Sequence, residues 1–419
     1  MSTEPHQIWS GIPDGVREVL DEVVGATRGE EVLIVGGFVR DLFLDRHSRD
    51  LDLVVTGDAG SLSRRLSRRL DVPAKVHPEF GTATLSVGRL RLDIATARKE
   101  RYAVPAALPD VKPGTLSEDL ARRDFSINAM ALEVTPNEGR LVDLHDGQED
   151  LLSKRLRLLH RQSIRDDPTR AFRGVRLEQE LGFEMDHDAT RQIEGACERA
   201  YFDELSGSRL REEFFRTLTD PGLFGAGFCR LGDLGLLRAI HPQVAWNSDL
   251  GEQARAAELE IVEAAARGRA VDPPLVALIL LSLQLSDEGG AEICDRLALQ
   301  RRDRRALVGG FRRIRNIAES LVAHDVSQLV TALERMRIEE LIGVLAAAGE
   351  RARGWRELVW RAWDHVPVVT AAELVASGCP EGPALGEVLL ATRAARIQDL
   401  VGKEDEVEYA LNLMKRYLQ

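Results

Sequence analysis

Two aspartates separated by a single residue are the side chains of this 419-residue chain best suited to chemistry. Asp50 and Asp52 lie in the apolar segment DLDLVVT, residues 50–56, whose pattern predicts a strand. Residues i and i+2 of a strand point to one face, so the two carboxylates are expected side by side, where a cation must offset their repulsion. Because Mg²⁺ prefers carboxylate oxygens and assists phosphoryl transfer, the pair predicts catalytic magnesium ligands.

A third carboxylate, Asp93, lies in the strand-like segment RLRLDIA. It can complete the same magnesium site, or it can be a simple charge at the edge of a strand. The sequence favours neither interpretation, so Asp93 is a candidate third metal ligand and no more.

Two glycines lie between a predicted strand at residues 31–35 and a segment, GFVRDLFLD, whose apolar residues have helical spacing. Gly36 and Gly37 can let backbone N–H groups approach a phosphate at the start of that helix, and Arg40 can add a fixed positive charge. A glycine pair alone is more typical of a tight turn between a strand and a helix. The aspartates that follow at short range shift the interpretation toward nucleotide binding.

The elements that must position these residues form a mixed head of about 150 residues followed by helices. Beyond about residue 153 the strand signals fade and long amphipathic patterns continue to the end of the chain. The predicted class is therefore α+β. Strands are predicted at residues 31–35, 50–56, 73–77, 81–87, 89–95 and 129–134, and a helix at residues 60–70.

Composition and charge narrow the possible partners. Hydrophobic residues at 44% and charged residues at 30% are typical of a globular protein, and the net charge of −12 argues against indiscriminate coating of nucleic acid. A local RNA site remains possible because arginines and lysines cluster at residues 154–165 and again at residues 301–315.

The sequence also predicts a location inside the cell. No apolar run reaches the roughly 20 residues that span a bilayer, and the segment MSTEPHQIWSG has no signal-peptide pattern, so we expect a cytoplasmic protein. Four scattered cysteines form neither a zinc motif nor a disulfide framework and are expected to be buried, reduced thiols. They are Cys197, Cys229, Cys294 and Cys379.

Three longer motifs carry a resemblance to a known family. Residues 36–55, GGFVRDLFLDRHSRDLDLVV, are similar to the first signature of class II tRNA nucleotidyltransferases and bacterial poly(A) polymerases, within the polymerase β-like superfamily. Residues 119–130, DLARRDFSINAM, resemble their second signature, RRDFTINAMA, with Ser126 in place of threonine. Residues 166–177, DDPTRAFRGVRL, are similar to the neck signature EDPxRxxRxxRF. The three occur in the family's order and cover roughly residues 31–185.

The resemblance implies a polymerase β-like nucleotidyltransferase head with a mixed sheet, followed by all-helical neck, body and tail domains. The head would be catalytic, the neck would select the nucleobase, and the body and tail would bind tRNA. The implied bounds are residues 1–152 for the head, 153–222 for the neck, 223–325 for the body and 326–419 for the tail.

The resemblance also implies roles for individual residues. Asp50 and Asp52 would hold the catalytic metals, and two residues of the neck, Asp167 and Arg170, would pair with the edge of the incoming base in place of a template. Asp166 stands where the family has glutamate, so its role stays open. The remaining implied nucleotide ligands are Gly36, Gly37 and Arg40 for the triphosphate, Arg122, Asp124 and Asn128 for the ribose, and Arg173.

The implied activity is magnesium-dependent addition of C and A to the 3′ end of tRNA from CTP and ATP, with the tRNA acceptor arm as partner. CC-only and A-only addition are alternatives, because residues 98–118 occupy the place of the loop that supports the switch from C to A and also resemble the partial enzymes. A poly(A) polymerase is disfavoured because the chain has no strongly basic C-terminal extension. A non-catalytic RNA-binding protein is disfavoured because both carboxylates and all three motifs are present.

Overall fold

The computed structural model describes residues 5–286, 288–308, 310–320, 326–333, 336–365 and 368–417. The chain divides into two compact units, Met1–Ser206 and Gly207–Gln419. The finer head, neck, body and tail bounds stay predictions. The implied boundary between body and tail adjoins residues 321–325, which lie outside the described residues.

The first unit is built on a seven-stranded mixed sheet in the order β3-β4-β5-β2-β1-β8-β9. Only β2 and β5 pair in parallel, and the other neighbours are antiparallel. The six predicted strands correspond to β1, β2, β3, β4, β5 and β8. The strands are β1 (Val32–Val35), β2 (Asp50–Val55), β3 (Ala74–His77), β4 (Thr82–Val87), β5 (Leu90–Thr96), β6 (Arg98–Arg101), β7 (Asp110–Pro113), β8 (Met130–Thr135), β9 (Leu141–Asp143), β10 (Arg155–Leu156) and β11 (Glu184–Met185).

Continuous apolar strands place the core of this unit at the centre of the sheet. Every residue of β1, VLIV, is buried, as expected for an inner strand covered on both faces. Helix α4 contacts β3, β4 and β5, and α2 packs against α4. The helices of the unit are α1 (Pro5–Ser10), α2 (Asp14–Ala26), α3 (Gly37–Phe43), α4 (Ala59–Leu70), α5 (Leu116–Ala121), α6 (Gly147–Leu152), α7 (Ser163–Asp166), α8 (Thr169–Leu181) and α9 (His187–Glu198).

The segment that follows the sheet is helical apart from the short parallel pair β10 and β11. Helix α8 buries its apolar face, including Phe172 and Val175, and ends where Gly182 adopts a left-handed conformation with φ of 66°. A bridge between Phe125 and Leu158 ties this segment to the chain that enters β8. The helix carrying the third sequence motif is thereby fixed against the sheet-bearing part of the same unit.

The described part of the second unit consists of helices. Its most buried element is α13, PPLVALILLS, in which every residue is buried and which contacts α10, α12, α14, α15 and α18. The predicted α+β class, with a mixed-sheet head and a helical remainder, is confirmed. The helices are α10 (Gly207–Leu218), α11 (Phe224–Asp233), α12 (Ser248–Ala266), α13 (Pro273–Ser282), α14 (Gly289–Arg296), α15 (Arg301–Leu307), α16 (Gly310–Ser320), α17 (Val326–Leu333), α18 (Ile338–Ala348), α19 (Arg356–Asp364), α20 (Ala371–Ala376), α21 (Pro383–Ile397) and α22 (Glu406–Tyr417).

Among the described residues, no helix combines the length and the apolar character needed to cross a membrane.

Candidate active site

Strand β2 places the two predicted metal ligands on one face of the sheet. Asp50 and Asp52 are exposed, whereas Leu51 and Leu53 between and beyond them are buried. This is the alternation expected when residues i and i+2 share a face. The predicted side-by-side placement of the aspartates on a strand is therefore present in the structure, and their role as metal ligands stays a prediction.

The sheet register brings a third carboxylate next to this pair. Asp93 on β5 is the parallel register partner of Asp52, and Asp50 is the partner of Arg91. Because β5 lies between β4 and β2, Asp93 is on an inner strand rather than at a sheet edge. Its carboxylate accepts hydrogen bonds from the Thr84 hydroxyl and from Arg91 Nε, the latter at 3.0 Å.

The glycine turn between β1 and α3 passes directly over Asp52. Gly36 has φ of 76° and ψ of −142°, a conformation that side chains rarely adopt. A Cβ atom here would lie 3.1 Å from Arg123 Nη1 and 3.6 Å from Asp52 Oδ2. Glycine is thus required both by the backbone and by the close approach of a carboxylate and a guanidinium. Gly37 opens helix α3 immediately afterwards.

These residues border a cleft of about 440 Å³ that carries both signs of charge. Asp52 and Asp93 supply negative charge, and three arginines supply positive charge. We use "the cleft" for the cavity lined by Val35, Asp52, Leu53, Val54, His77, Thr82, Thr84, Arg91, Asp93, Ile94, Ala95, Arg122 and Arg123. A cavity with carboxylates on one wall and guanidinium groups on another can bind a metal ion together with phosphates.

Electrostatics single out Asp52 among the acids of the cleft. Its pKa is raised above the ordinary value, first because protein atoms at the base of the cleft displace water from the carboxylate. Arg123 opposes the shift, while the carboxylates of Asp93 and Asp50 add to it. A cation bound beside Asp52 would offset the repulsion that these like charges exert on its carboxylate.

The acids fit a magnesium ion that shares its ligands with a nucleotide. Within the described part of the chain, no three His, Cys, Asp or Glu side chains are arranged to hold a metal by themselves. Mg²⁺ commonly uses one or two carboxylates and completes its octahedron with substrate phosphates and water. Asp50 and Asp52 match that mode of binding, and a role for Asp93 as a further ligand stays a prediction.

A polar network of four residues joins three parts of the first unit, and we call it the Asp124 network. Arg40 Nη1 donates to Asn128 Oδ1 at 2.9 Å, and Asn128 Nδ2 donates to Asp124 Oδ1 at 3.1 Å. Arg173 on α8 donates to Asp124 Oδ2 from Nε at 2.8 Å and from Nη2 at 2.6 Å. Four of the residues predicted to bind nucleotide are therefore linked to one another.

The pKa of Asp124 depends on two opposing factors, its burial and the positive charge and hydrogen bonds around its carboxylate. Burial by itself raises the pKa of this carboxyl, but the Arg173 guanidinium and the hydrogen bonds from Asn128, Arg173 and the Phe125 N–H lower the pKa far below the ordinary value. Arg40 also donates twice to Asp41, at 2.9 and 2.7 Å, and its side chain is only 12% exposed. The predicted triphosphate ligand Arg40 is thus largely engaged with other protein groups.

Arg122 lies at a junction that the sequence did not reveal. It donates to the buried Asp119 through Nε and Nη2 at 3.0 and 2.8 Å, and to Glu100 through Nη1 at 2.9 Å. Its backbone carbonyl accepts a 2.6 Å hydrogen bond from Arg170 Nη2. Arg123 donates to the other oxygen of Asp119 at 3.0 Å. One buried acid therefore orients both arginines of the second motif toward the cleft.

The two predicted base-reading residues lie at the start of α8. Arg170 is buried, and besides its bond to the Arg122 carbonyl it donates to Ser163 Oγ at 2.5 Å. Asp167 Oδ1 accepts from the Thr169 N–H at 3.1 Å and from its hydroxyl at 2.6 Å. These bonds fix the Asp167 carboxylate against the first turn of α8.

The predicted loop segment, residues 98–118, contains an antiparallel hairpin of β6 and β7. Glu100 on β6 pairs with Arg98 at 3.0 Å as well as with Arg122, and it accepts a 2.8 Å hydrogen bond from the Tyr102 hydroxyl. Burial, followed by the nearby Glu100 carboxylate, raises the pKa of Tyr102, and the charges of Arg170 and Asp167 also act on this hydroxyl. The segment therefore lies beside the base-reading residues.

Three residues of this site were not predicted as site residues. Asp119 and Arg123 stand inside the second motif, so the alternation of acid and arginines there was an available signal. Glu100 belongs to the charged run RKER, whose pattern alone is typical of a solvated strand. Its partner Arg122 is 22 residues away, and no local periodicity marks that pair.

A mixed sheet with paired aspartates on an inner strand, a glycine turn over them and a charged cleft define a nucleotidyltransferase head. Residues 32–157 match the family model described as the poly A polymerase head domain. The structure resembles the Thermotoga maritima CCA-adding enzyme complexed with tRNA, with a TM-score of 0.85, 26% identity, and coverage of 99% of this chain and 98% of that one.

Curated relatives agree with the structural match. An A-adding tRNA nucleotidyltransferase from Geobacter sulfurreducens is 31% identical over 396 residues, which cover 91% of this chain and 45% of the relative. A CC-adding tRNA nucleotidyltransferase from Deinococcus radiodurans is 29% identical over 417 residues, covering 97% and 95%. The chain spans half or less of the length of the first curated relatives that it matches. Residues 32–157 therefore belong to the poly A polymerase head-domain family, and the chain as a whole is similar to tRNA nucleotidyltransferases.

Proposed function

We propose that this protein is a magnesium-dependent, template-independent nucleotidyltransferase that adds C and A to the 3′ end of tRNA, using CTP and ATP. The observation that carries the proposal is the placement of Asp52 beneath the Gly36 turn, beside Asp93 and Arg123. At this one place, carboxylates can bind a metal ion and the glycine turn lets a phosphate come close to backbone N–H groups. Processing of tRNA would take place in the cytoplasm.

In the proposed reaction the 3′ hydroxyl of the RNA attacks the α-phosphate in line, an ester bond forms, and pyrophosphate leaves. Asp50 and Asp52 would hold Mg²⁺, which lowers the pKa of a bound hydroxyl and neutralises phosphate charge. Arg91 and Arg123 line the same cleft and would offset the remaining charge of the triphosphate. Gly36, Gly37 and Arg40 are proposed to hold that triphosphate from the side of α3.

Selection of the nucleotide is proposed to rest on residues of the second and third motifs. Asp167 can accept from the exocyclic amine of cytosine or adenine, and Arg170 can donate to a ring nitrogen or carbonyl. The bonds from Arg170 to Ser163 and to the Arg122 carbonyl support this role because they fix the guanidinium in one position. The proposed ribose and nucleotide ligands that complete the set are Arg122, Asp124, Asn128 and Arg173.

The remaining helices are proposed to bind the tRNA acceptor arm. The head would comprise residues 1–152 and the neck residues 153–222, with a body at 223–325 and a tail at 326–419. Similarity along 99% of the chain to an enzyme solved with tRNA supports this division of labour.

We propose full CCA addition as the extent of the reaction. The structural match to a CCA-adding enzyme over nearly the whole of both chains supports it. A-only addition is a second candidate, because the Geobacter sulfurreducens relative is named an A-adding enzyme. The two activities differ in their response to a primer without any terminal nucleotides.

The test uses purified protein, Mg²⁺ and CTP or ATP, singly and together, with three RNAs. They are tRNA lacking CCA, tRNA ending in CC, and an unrelated RNA. Full CCA addition extends the first by three nucleotides, whereas an A-adding enzyme extends only the second, by one. Long A tails on all three would show a poly(A) polymerase, and no incorporation into any would overturn the proposal.

A further inference from the structure

A second charged cavity lies in the first unit, between α7 and α9, and it contains none of the residues that line the cleft. Its volume is about 620 Å³. Four arginines and a single aspartate, Asp188, border it, so its charge is positive although the whole chain carries −12. We use "the basic pocket" for this cavity, whose lining includes Arg161, Gln162, Arg165, Arg191, Arg199 and Tyr201.

Two arginines that line the pocket, Arg191 on α9 and Arg199 directly after its last residue, are called the α9 row. Arg191 and Arg199 are both exposed and lie eight residues apart, which is about 12 Å along the helix axis. Gly195 stands midway between them. Arg199 Nη1 donates to the Gly195 carbonyl at 2.9 Å, and a Cβ atom at Gly195 would lie 2.7 Å from that nitrogen. The glycine therefore lets the Arg199 guanidinium lie across the helix toward the pocket.

The opposite wall of the basic pocket is continuous with the proposed base-reading motif. Arg165 belongs to α7, which ends at Asp166 and is followed at once by Asp167. Ser163 of the same helix holds Arg170, and the Arg165 carbonyl accepts a 3.2 Å hydrogen bond from the Ala106 N–H of the loop segment. One short helix thus carries arginine toward the pocket and supports the residues proposed to read the base.

We propose that the basic pocket binds the phosphodiester backbone of the RNA primer close to its 3′ end, an assignment that rests on the proposed function. A row of charge about 12 Å long exceeds a single phosphate and fits successive phosphates of a strand. Guanidinium groups form paired hydrogen bonds with phosphate oxygens. Half-buried Tyr201 adds an aromatic face on which an unpaired base can stack.

Charge reversal of the α9 row tests this proposal against a matched variant. Arg191→Glu with Arg199→Glu removes two exposed arginines, of which Arg191 is paired with an exposed aspartate. Arg64→Glu with Arg68→Glu makes the same charge change on α4, where Arg64 likewise pairs with exposed Asp58 at 3.7 Å. Titration of labelled tRNA lacking CCA, at several salt concentrations, measures the Kd and its salt dependence for both variants.

The α9 variant is expected to raise the Kd for tRNA about tenfold or more and to reduce the slope of log Kd against log salt by about one and a half, since two phosphate contacts are lost. The α4 variant should change both quantities far less, and the KM for CTP should stay the same. Equal effects of the two variants would overturn the proposal. A raised KM for CTP with unchanged tRNA binding would assign the pocket to the nucleotide and overturn it as well.

A gentler substitution keeps the test valid if the double variant unfolds. Gly195→Ala leaves every charge in place but displaces Arg199 from its bond to the helix, so tRNA binding should weaken by about threefold. Unchanged binding by this variant would argue against a role for Arg199. Failure of the proposed function looks different, because the unaltered protein would then add no nucleotide to tRNA whether or not the pocket binds RNA.

Discussion

The cleft and the Asp124 network hold carboxylates in opposite surroundings. At the cleft, Asp52 is exposed, and it stands among Asp50 and Asp93 with its pKa raised. In the network, Asp124 is buried, yet three kinds of hydrogen bond and the Arg173 guanidinium lower its pKa. The network is therefore complete without any ligand, whereas the cleft retains repulsion that a bound cation would relieve. Uncompensated repulsion between carboxylates in one region, next to a region whose charges are fully hydrogen-bonded, is typical of a functional site.

The largest expected effect is the loss of catalysis when a carboxylate of the cleft is neutralised. Asp52→Asn should reduce incorporation of CMP and AMP into tRNA by about a thousandfold or more, because an amide cannot replace the charge of a metal-binding carboxylate. Single-turnover assays measure the loss, and tRNA binding by the same variant should be unchanged. Asp21→Asn, an exposed substitution on α2, is the control. Turnover within tenfold of the unaltered protein would show that Asp52 is not a metal ligand.

The next largest effect is a loss of folding stability when Asp124, the buried acid of the network, is replaced. Asp124→Asn should lower the free energy of unfolding by about 2 kcal/mol, because it leaves the partly buried Arg173 guanidinium without its charged partner. Urea unfolding followed by circular dichroism measures the change. Asp21→Asn should alter stability by less than about 0.5 kcal/mol. A similar stability for both variants would mean that the network contributes little to folding.

Lowering the pH should remove the contribution of ionised Asp124 to the free energy of unfolding. A carboxyl whose pKa is lower in the folded than in the unfolded state stabilises the fold above the unfolded value of about 3.9, and that stabilisation is lost as pH falls toward the folded pKa. The stability difference between the unaltered protein and Asp124→Asn should thus be constant near neutral pH and shrink below about pH 4. Urea midpoints at a series of pH values test this. A difference that grew on acidification would contradict the sign.

The two regions also differ in how far the sequence revealed them. The strand with Asp50 and Asp52 follows from a period of two, and the turn at Gly36 from a glycine pair between a strand and a helix. The bonds of the Asp124 network join residues up to 88 positions apart, and only the family motifs, not periodicity, indicated that Asp124 matters. The hairpin in the loop segment escaped prediction because its strands are short and charged, and charged runs are depleted in ordinary strands.

Helix α2 was not predicted, although its sequence carries the apolar spacing of an amphipathic helix. Helix α2 buries Val16, Val19, Leu20 and Val23, which have the three- and four-residue spacing of one helix face. The sheet topology could not be derived in the same way, because the order of strands depends on pairing between distant segments. Local pattern thus predicted elements, family motifs predicted candidate residues, and only the structure showed which charges compensate one another.

Glu100 extends the comparison to an acid that is compensated by two arginines. Its side chain is 6% exposed, and Glu100→Gln should loosen Arg122 and, through its carbonyl, Arg170. We expect the ratio of kcat/KM for CTP to that for ATP to change by about tenfold, the size of one charged hydrogen bond. Glu138→Gln, at an exposed position, is the control. A uniform loss of rate with an unchanged ratio would assign Glu100 a purely structural role.

The smallest expected effect is a gain in folding stability, opposite in sign to the loss expected for Asp124→Asn. Since loss of water around the carboxylate, followed by the charges of Asp93 and Asp50, raises the pKa of Asp52, ionised Asp52 destabilises the metal-free fold near neutral pH. Asp52→Asn should therefore increase the free energy of unfolding by about 0.5 kcal/mol without Mg²⁺, in contrast to the loss expected for Asp124→Asn. Urea unfolding with a chelator present measures the gain, and added Mg²⁺ should stabilise the unaltered protein more than the variant. If Asp52→Asn destabilised the chelated protein, the repulsion at the cleft would be fully compensated by Arg123, and the cleft and the network would not differ in kind.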